Sequence, residues 1–371
     1  MRVLACNSPY GRGGIGQHFA QVVEESREAD MLANYFTPGP ASEDPKGAFV
    51  QTPSWLHKLI RYTPLRFSPG WHSFLYSAYF DWAVSKRLAS APSASETSRY
   101  MGFAGEAYRS FLAAREAGFE TLELISPTSH VHNVQRLHRE ATQRHRIGTS
   151  WLHDALARRT LREYEAADLI YVHSEYTRQS FVQEGISEDK LQRMYLPVHP
   201  RFQPPKERPT DDAFRIVYVG RVDVTKGLPL LLEAFSELDV QAKELILVGS
   251  WSSRSMRRYM QKWLDRGLNI TVAPGDPLPS LQQADVFVHP TYEDGYGYAP
   301  MEALACGVPV IATQDTGMKE YIQPGTNGFI VPTGSADAIL SRLQSLYASP
   351  LCTTRPLIPS ELGPHYSTLD A

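Results

Sequence analysis

Cysteine is scarce in this chain. Cys6, Cys306 and Cys352 are the three present in 371 residues, too few and too far apart for a disulfide framework or a zinc-ligand pattern. Their scarcity points to a reducing compartment. No apolar run approaches the ~20 residues that cross a bilayer, and no charged-then-apolar leader precedes the strand-like "MRVLAC". An excess of charge of one sign is lacking as well. Lys and Arg number 37 against 40 Asp and Glu, a formal net charge of -3, which argues against nucleic acid as the main partner. What remains is a chain with 42% hydrophobic residues, longer than the ~100–200 residues of one domain. The expectation is a two-domain cytoplasmic protein, at most bound to the cytoplasmic face of a membrane.

Short apolar strands alternate with amphipathic helix patterns, which reads as parallel sheets with crossover helices. In the first half "MRVLAC", "TLELISP" and "ADLIYVHS" are strands, with helices over "GQHFAQVVEESREA" and "EYTRQSFVQEG". Residues 199–213, "HPRFQPPKERPTDDA", carry four prolines and many charges and read as a domain linker. The alternation restarts with "FRIVYVG", "LPLLLEAFSEL", "ELILVGS", "NITVAP", "ADVFVHP", "APMEALACG" and "VPVIAT". Leu228, Leu231, Leu232 and Phe235 follow the i, i+3, i+4, i+7 spacing of a helix packed on a sheet. The expected architecture is α/β: two doubly wound, Rossmann-like domains over 1–198 and 214–349, with an irregular tail over 350–371 that its prolines keep from forming a long helix. No internal repeat or low-complexity segment interrupts it.

The turn "GRGGIG" has Gly11, Gly13 and Gly16 in a formal G-x-G-x-x-G arrangement. A dinucleotide site also needs an acid ~20 residues on for the ribose, and "ANYFTPGP" there has none. What survives is a glycine loop that lets backbone approach a ligand at a helix N-terminus, or a purely structural turn. In "VYVGRVDVTKG", Arg221 and Lys226 follow a strand end, where open α/β sheets bind ligands. A guanidinium fork and a mobile ammonium together suit a diphosphate; two solvated loop charges are the plain alternative. "EDGYGYAPMEALACG" sets Asp294 and Glu302 around Gly295 and Gly297 where a strand gives way to a helix. Carboxylates repel phosphate but accept hydrogen bonds from vicinal hydroxyls. Cations for a diphosphate beside acids for sugar hydroxyls make a divided site for a nucleotide sugar. An acid favoured by the helix dipole would explain Glu302 alone.

The linked run "VGRVDVTKG", "ADVFVHPTYEDGYGYAPMEALACGVPVIAT" and "EYIQPGTNGFIVP" resembles the C-terminal half of glycosyltransferase family 4, retaining enzymes of the GT-B fold. The resemblance is strong over residues 214–345 and weak before them. It implies that Arg221 and Lys226 grip the donor diphosphate and that Glu302 takes the ribose hydroxyls. It places Asp294 where the family has Glu, one methylene longer, with Glu293 next door to compensate. It sets the backbone around Gly295, Tyr296, Gly297 and Tyr298 against donor sugar and phosphate. It matches Gly13 and Gly14 to the family's glycine loop, and His130 in "SPTSHVHN" to a histidine at the reaction centre, with His132 as rival.

The chain has no Asp-x-Asp pair, the metal motif of the other major glycosyltransferase architecture, so no metal and no other cofactor are expected. The implied reaction moves a hexose from a UDP- or GDP-sugar to a glycan or lipid-linked hydroxyl acceptor. A binding-only member of the family and a nucleotide-sugar epimerase are the rival readings. Two further segments stand apart. The aromatic-rich stretch 54–83 reads as buried helix faces, with a lipid-facing or acceptor-facing patch as the alternative. The basic run "RLHREATQRHR", with Arg158, Arg159 and Arg162, reads as a solvated helix face, with attraction to an anionic membrane as the alternative.

Overall fold

The computed structural model describes residues 1–39, 44–89, 98–207, 209 and 211–351. The Pro-broken tail from residue 352 therefore lies outside the described residues. Two sheets, all of whose ladders are parallel, organise the chain. The first contains β1 (Arg2–Ala5), β2 (Leu32–Pro38), β3 (Gly47–Val50), β4 (Arg99–Phe103), β5 (Thr121–Ser126), β6 (Leu169–Val172) and β7 (Leu191–Arg193). The second contains β8 (Phe214–Val219), β9 (Lys243–Val248), β10 (Ile270–Ala273), β11 (Val286–His289), β12 (Val310–Thr313) and β13 (Gly328–Val331). Strand order is 3-2-1-4-5-6-7 in one and 10-9-8-11-12-13 in the other. Each order reverses direction at one point, between β1 and β4 and between β8 and β11. Ligands of open α/β sheets lie outside the strand ends at such points. This is the GT-B arrangement.

Parallel strands buried on both faces read as continuous apolar runs, and β11 "VFVH" and β12 "VIAT" are buried at every position. The helices that cover the first sheet are α1 (Gly13–Glu28), α2 (Ser54–Tyr62), α3 (Pro69–Ala89), α4 (Tyr108–Glu116), α5 (Val131–His145), α6 (Asp154–Ala166) and α7 (Glu175–Gln183). Those of the second are α8 (Leu228–Glu237), α9 (Arg254–Leu264), α10 (Leu278–Gln283), α11 (Tyr298–Ala305) and α12 (Ala336–Ala348). Leu228, Leu231, Leu232 and Phe235 of α8 are all buried, as their spacing requires.

The two halves do not pack independently. Leu137, Ala141 and Ile147, from α5 and the turn after it, share one apolar cluster with Ile216, Leu231 and Val288 of the second sheet and its helix. Leu196, Val198 and Phe202 join the cluster of Phe287, Tyr296 and Met301. The chain is thus docked on the second domain from Leu196 onward, into the first residues of the Pro-rich stretch.

Two expectations need correction here. Along 54–83, Leu56, Ile60 and Phe80 are buried, but Trp55, Leu59, Tyr62, Phe67, Trp71 and Trp82 are exposed. Helix α2 carries two apolar stripes at helical spacing, and periodicity cannot tell which one the core takes. Arg159 is not a solvated charge either. It lies between buried Asp81 and Glu163, 2.5 Å from the first and 3.4 Å from the second.

Candidate functional site

A cavity of about 710 Å³ opens between the domains. Its walls come from the carboxyl ends of strands on both sides: Gly13 and Gly14 after β1, Gly105 and Glu106 after β4, Arg221 and Lys226 after β8, and the loop into α11 after β11. From that loop Asp294, Tyr296, Gly297 and Tyr298 line the cavity, joined by Glu302 one turn into α11. Glycine is required at the turn into this helix, since Gly297 has φ +88 and caps α11 in the left-handed region. No side chain caps the first N–H groups of α11 or of α1, so both helix ends present free donors toward the cavity, where an anion is favoured.

Lys226 Nζ lies 2.8 Å from Asp294 Oδ2 and 3.3 Å from the Glu293 carbonyl oxygen. Burial would raise the Asp294 pKa, but Lys226 and the imidazole of His289, 3.4 Å away, override it and hold the carboxyl far below the usual range. Arg221 stands exposed on the wall, and among the described residues no carboxylate pairs with it. Its backbone carbonyl accepts from the Tyr218 hydroxyl at 2.8 Å, which fixes the loop. The site therefore holds one free guanidinium, one ammonium already neutralised by an acid, and Glu302, whose carboxyl burial pushes up to about 7.

Four residues singled out in the sequence stand elsewhere. His130 does not line the cavity. It is buried against Tyr164 and Phe181, and its Nδ1 accepts from the His132 N–H at the start of α5. His132 turns outward to Glu184, 2.7 Å away. The ligand atoms of His130, His132 and Glu184 lie within 4.8 Å of one another, but the α5 N-terminus beside them opposes a cation. Glu293 points away from Asp294 and into the first domain, where its buried carboxylate accepts the Ser129 N–H at 2.8 Å. It cannot make up for the shorter Asp294. Gly295 is a contact between domains: its carbonyl accepts from Ser174 Oγ at 2.7 Å and Thr177 Oγ1 at 3.0 Å. Glu320 makes a parallel link, accepting the N–H groups of Glu175 and Tyr176 at the start of α7.

The cavity also gathers residues that motif reading missed. His18, His173 and His289 line it, each with its pKa lowered by burial, His173 to about 4. His173 and His289 stand at strand carboxyl ends, in "IYVHS" and "VFVHP", and that position was the available signal. Glu106 follows β4, accepts the Asn7 N–H at 2.6 Å, and is pushed up to about 8 by burial.

These shifts set a pH dependence. Glu163, Glu293 and Glu302, each raised to about 7, and Glu106, raised to about 8, have unfolded values near 4.5. They bind more protons folded than unfolded in that window, so their contribution to stability falls as pH rises. The lowered histidines act oppositely, but only up to their unfolded value of 6.5. Above it the carboxyls act alone. The melting temperature is expected to fall between about pH 6.5 and about pH 8, with a shallower fall in Glu106→Gln. A melting temperature that climbs across that interval would contradict the assignment.

Comparison with known proteins places this geometry. The family model described as "Glycosyl transferases group 1" matches residues 201–356. Over those residues the chain is similar to the group 1 glycosyl transferases. The chain is 32% identical over 141 residues to the capsular polysaccharide biosynthesis glycosyltransferase CapM of Staphylococcus aureus, covering 37% of each chain. It is also 32% identical over 143 residues to the D-inositol 3-phosphate glycosyltransferase of Paenarthrobacter aurescens, covering 34% of this chain and 35% of the relative. The alignments thus span little more than a third of the curated relatives they match. Solved structures of similar fold extend over both domains. Sucrose-phosphate synthase from Thermosynechococcus elongatus superposes with a TM-score of 0.71 at 20% identity over 94% of this chain and 90% of that one. Anabaena HepE in complex with UDP and glucose gives 0.64 at 14% identity over 94% and 90%.

Proposed function

We propose that the chain is a glycosyltransferase that moves a hexose from a UDP- or GDP-sugar to a hydroxyl of a glycan or lipid-linked acceptor, with retention and without a metal ion. The observation that carries this reading is the convergence of Arg221, Lys226, Asp294 and Glu302 on one cavity at both switch points. The donor diphosphate lies against Arg221, Lys226 and the free N-termini of α1 and α11; Glu302 takes ribose hydroxyls; Asp294 orients Lys226 and meets the hexose. As the bond from the anomeric carbon to phosphate breaks, charge grows on the leaving diphosphate, where fixed cations stabilise it most. The acceptor oxygen bonds to the same face of the anomeric carbon, and its proton passes to the departing phosphate oxygen. The binding of UDP by HepE, which shares the fold, favours a nucleotide donor. Acceptors enter from the first domain, past Glu106 and α3.

The test is a thermal-shift screen of UDP-, GDP- and ADP-sugars, followed by turnover with and without chelator. A donor that raises the melting temperature and is then transferred, unaffected by chelator, is expected. Binding without transfer would favour the binding-only reading, and loss of turnover in chelator would overturn the metal-free one. His130→Ala is expected to lower stability by about 1 kcal/mol, the typical cost of losing an N-cap acceptor, and to leave transfer near normal. A large loss of rate at unchanged stability would return His130 to the reaction centre.

A further inference from the structure

Outside the cleft, a second pocket of about 310 Å³ lies between α3, α4 and α6, floored by Phe74, Ala78 and Tyr108 and walled by Arg109, Arg158, Arg159 and Arg162. Arg159 is committed to Asp81 and Glu163. Those two acids face inward: Glu163 accepts the N–H groups of Gly105, Ala107 and Tyr108, and Asp81 those of Arg109 and Ser110. Among the described residues the side chains of Arg109, Arg158 and Arg162 have no carboxylate partner, and the Arg162 guanidinium rests over the Tyr108 ring. These three exposed guanidiniums border one apolar floor and leave it positively charged, and the guanidinium fork matches phosphate oxygens in pairs.

The rim says which phosphate. Trp71, Phe74, Ala78 and Trp82 run along one side of α3 at steps of three and four residues. Trp71 is 36% exposed and Trp82 40%, flanking the pocket on either side. Tyr62 and Phe67 beside them are exposed as well, each under an arginine, Arg61 and Arg66. Indole rings beside cations suit the boundary of a bilayer, where an apolar body meets charged headgroups. A soluble phosphate would gain nothing from exposed tryptophans.

We propose that this pocket binds the headgroup phosphate of an anionic lipid and seats the first domain on a membrane surface. The same two helices turn their other sides to the cleft: Ser73, Tyr76 and Ser77 of α3, and Leu156, Thr160 and Tyr164 of α6, line the large cavity. A lipid phosphate held here thus lies directly behind the wall of the first-domain half of the cleft. The inference does not depend on the transfer reaction, because lipid binding is measured without turnover.

The test uses the full chain and sedimentation with vesicles of phosphatidylcholine alone or mixed with phosphatidylglycerol. Binding to the mixed vesicles only is expected. Each guanidinium near an anionic surface contributes about 1 kcal/mol, about fivefold in partition, so the triple variant Arg109→Gln, Arg158→Gln, Arg162→Gln should bind about a hundredfold more weakly. Arg158→Gln alone changes an exposed side chain that the fold does not need, and it should cost about fivefold. Trp82→Gln should weaken binding while keeping its charge dependence. Equal binding to both vesicle types, or undiminished binding by the triple and single variants, would overturn the proposal. So would stabilisation by inorganic phosphate, lost in the triple variant, without any vesicle binding; that outcome assigns a soluble anion.

Discussion

Lys226→Ala should reduce sugar transfer by about a hundredfold to a thousandfold, the range found when one preorganised charge stabiliser is removed from a transition state. Two groups near the ammonium determine the outcome. Asp294, 2.8 Å away, holds it in the cavity, and the donor diphosphate competes for the same charge. With Lys226 gone, the diphosphate loses a cation and Asp294 keeps His289 at 3.4 Å and the Tyr296 N–H. Its carboxyl then moves up from its depressed value. The effect belongs mainly in kcat, because charge on the diphosphate is greatest as the glycosidic bond breaks. Folding should change little, since Asp294 retains contact with water at 23% exposure and such partly exposed pairs contribute ~1 kcal/mol or less. Arg221→Ala should act in the same direction. If both variants transfer sugar at near-normal rates, these cations do not serve the donor and the proposed site fails.

Gly295→Ala should be nearly as damaging, by a different route. A Cβ at this position would stand 2.3 Å from the Pro127 carbonyl oxygen and 2.8 Å from the Thr128 Cα, both backbone atoms of the other domain. No rotamer relieves a clash with backbone. The domains must separate locally, and the loop carrying Asp294 and Tyr296 moves with them. Displacement of a positioning group by about 1 Å can cost about a hundredfold in rate. A loss of that size is expected with both domain cores intact. Near-unfolded protein would instead indicate a structural role, and normal transfer would show that the contact between Gly295 and Pro127 is dispensable. The close approach at Gly295 thus governs how the halves meet.

The sequence carried the second domain more clearly than the first. Its inner strands β11 and β12 are buried on both faces, so the apolar runs "VFVH" and "VIAT" mark them clearly, and Arg221, Lys226, Asp294 and Glu302 follow strand ends where ligands gather. The placement of Glu293 could not be read in this way. Adjacent residues of a loop point in opposite directions, and only the partner domain, with its Ser129 N–H, decides which acid turns inward. His130 carries the same ambiguity: a histidine after a strand can enter a cleft or cap the next helix, and the spacing is identical. His173 and His289 were visible as strand-end histidines but carried no motif. The exposed aromatic rings of α2 and α3 show the limit of hydrophobic patterning, which identifies an apolar stripe and not what it faces.

One packing feature limits how the cleft can open to admit substrates. Because Leu137, Ala141 and Ile147 sit in the same oily cluster as Ile216 and Val288, a wide clamshell swing would tear α5 out of the second half and expose that surface to water. Substrate traffic then favours a narrow parting at the mouth, pivoting on a helix that both halves hold in common.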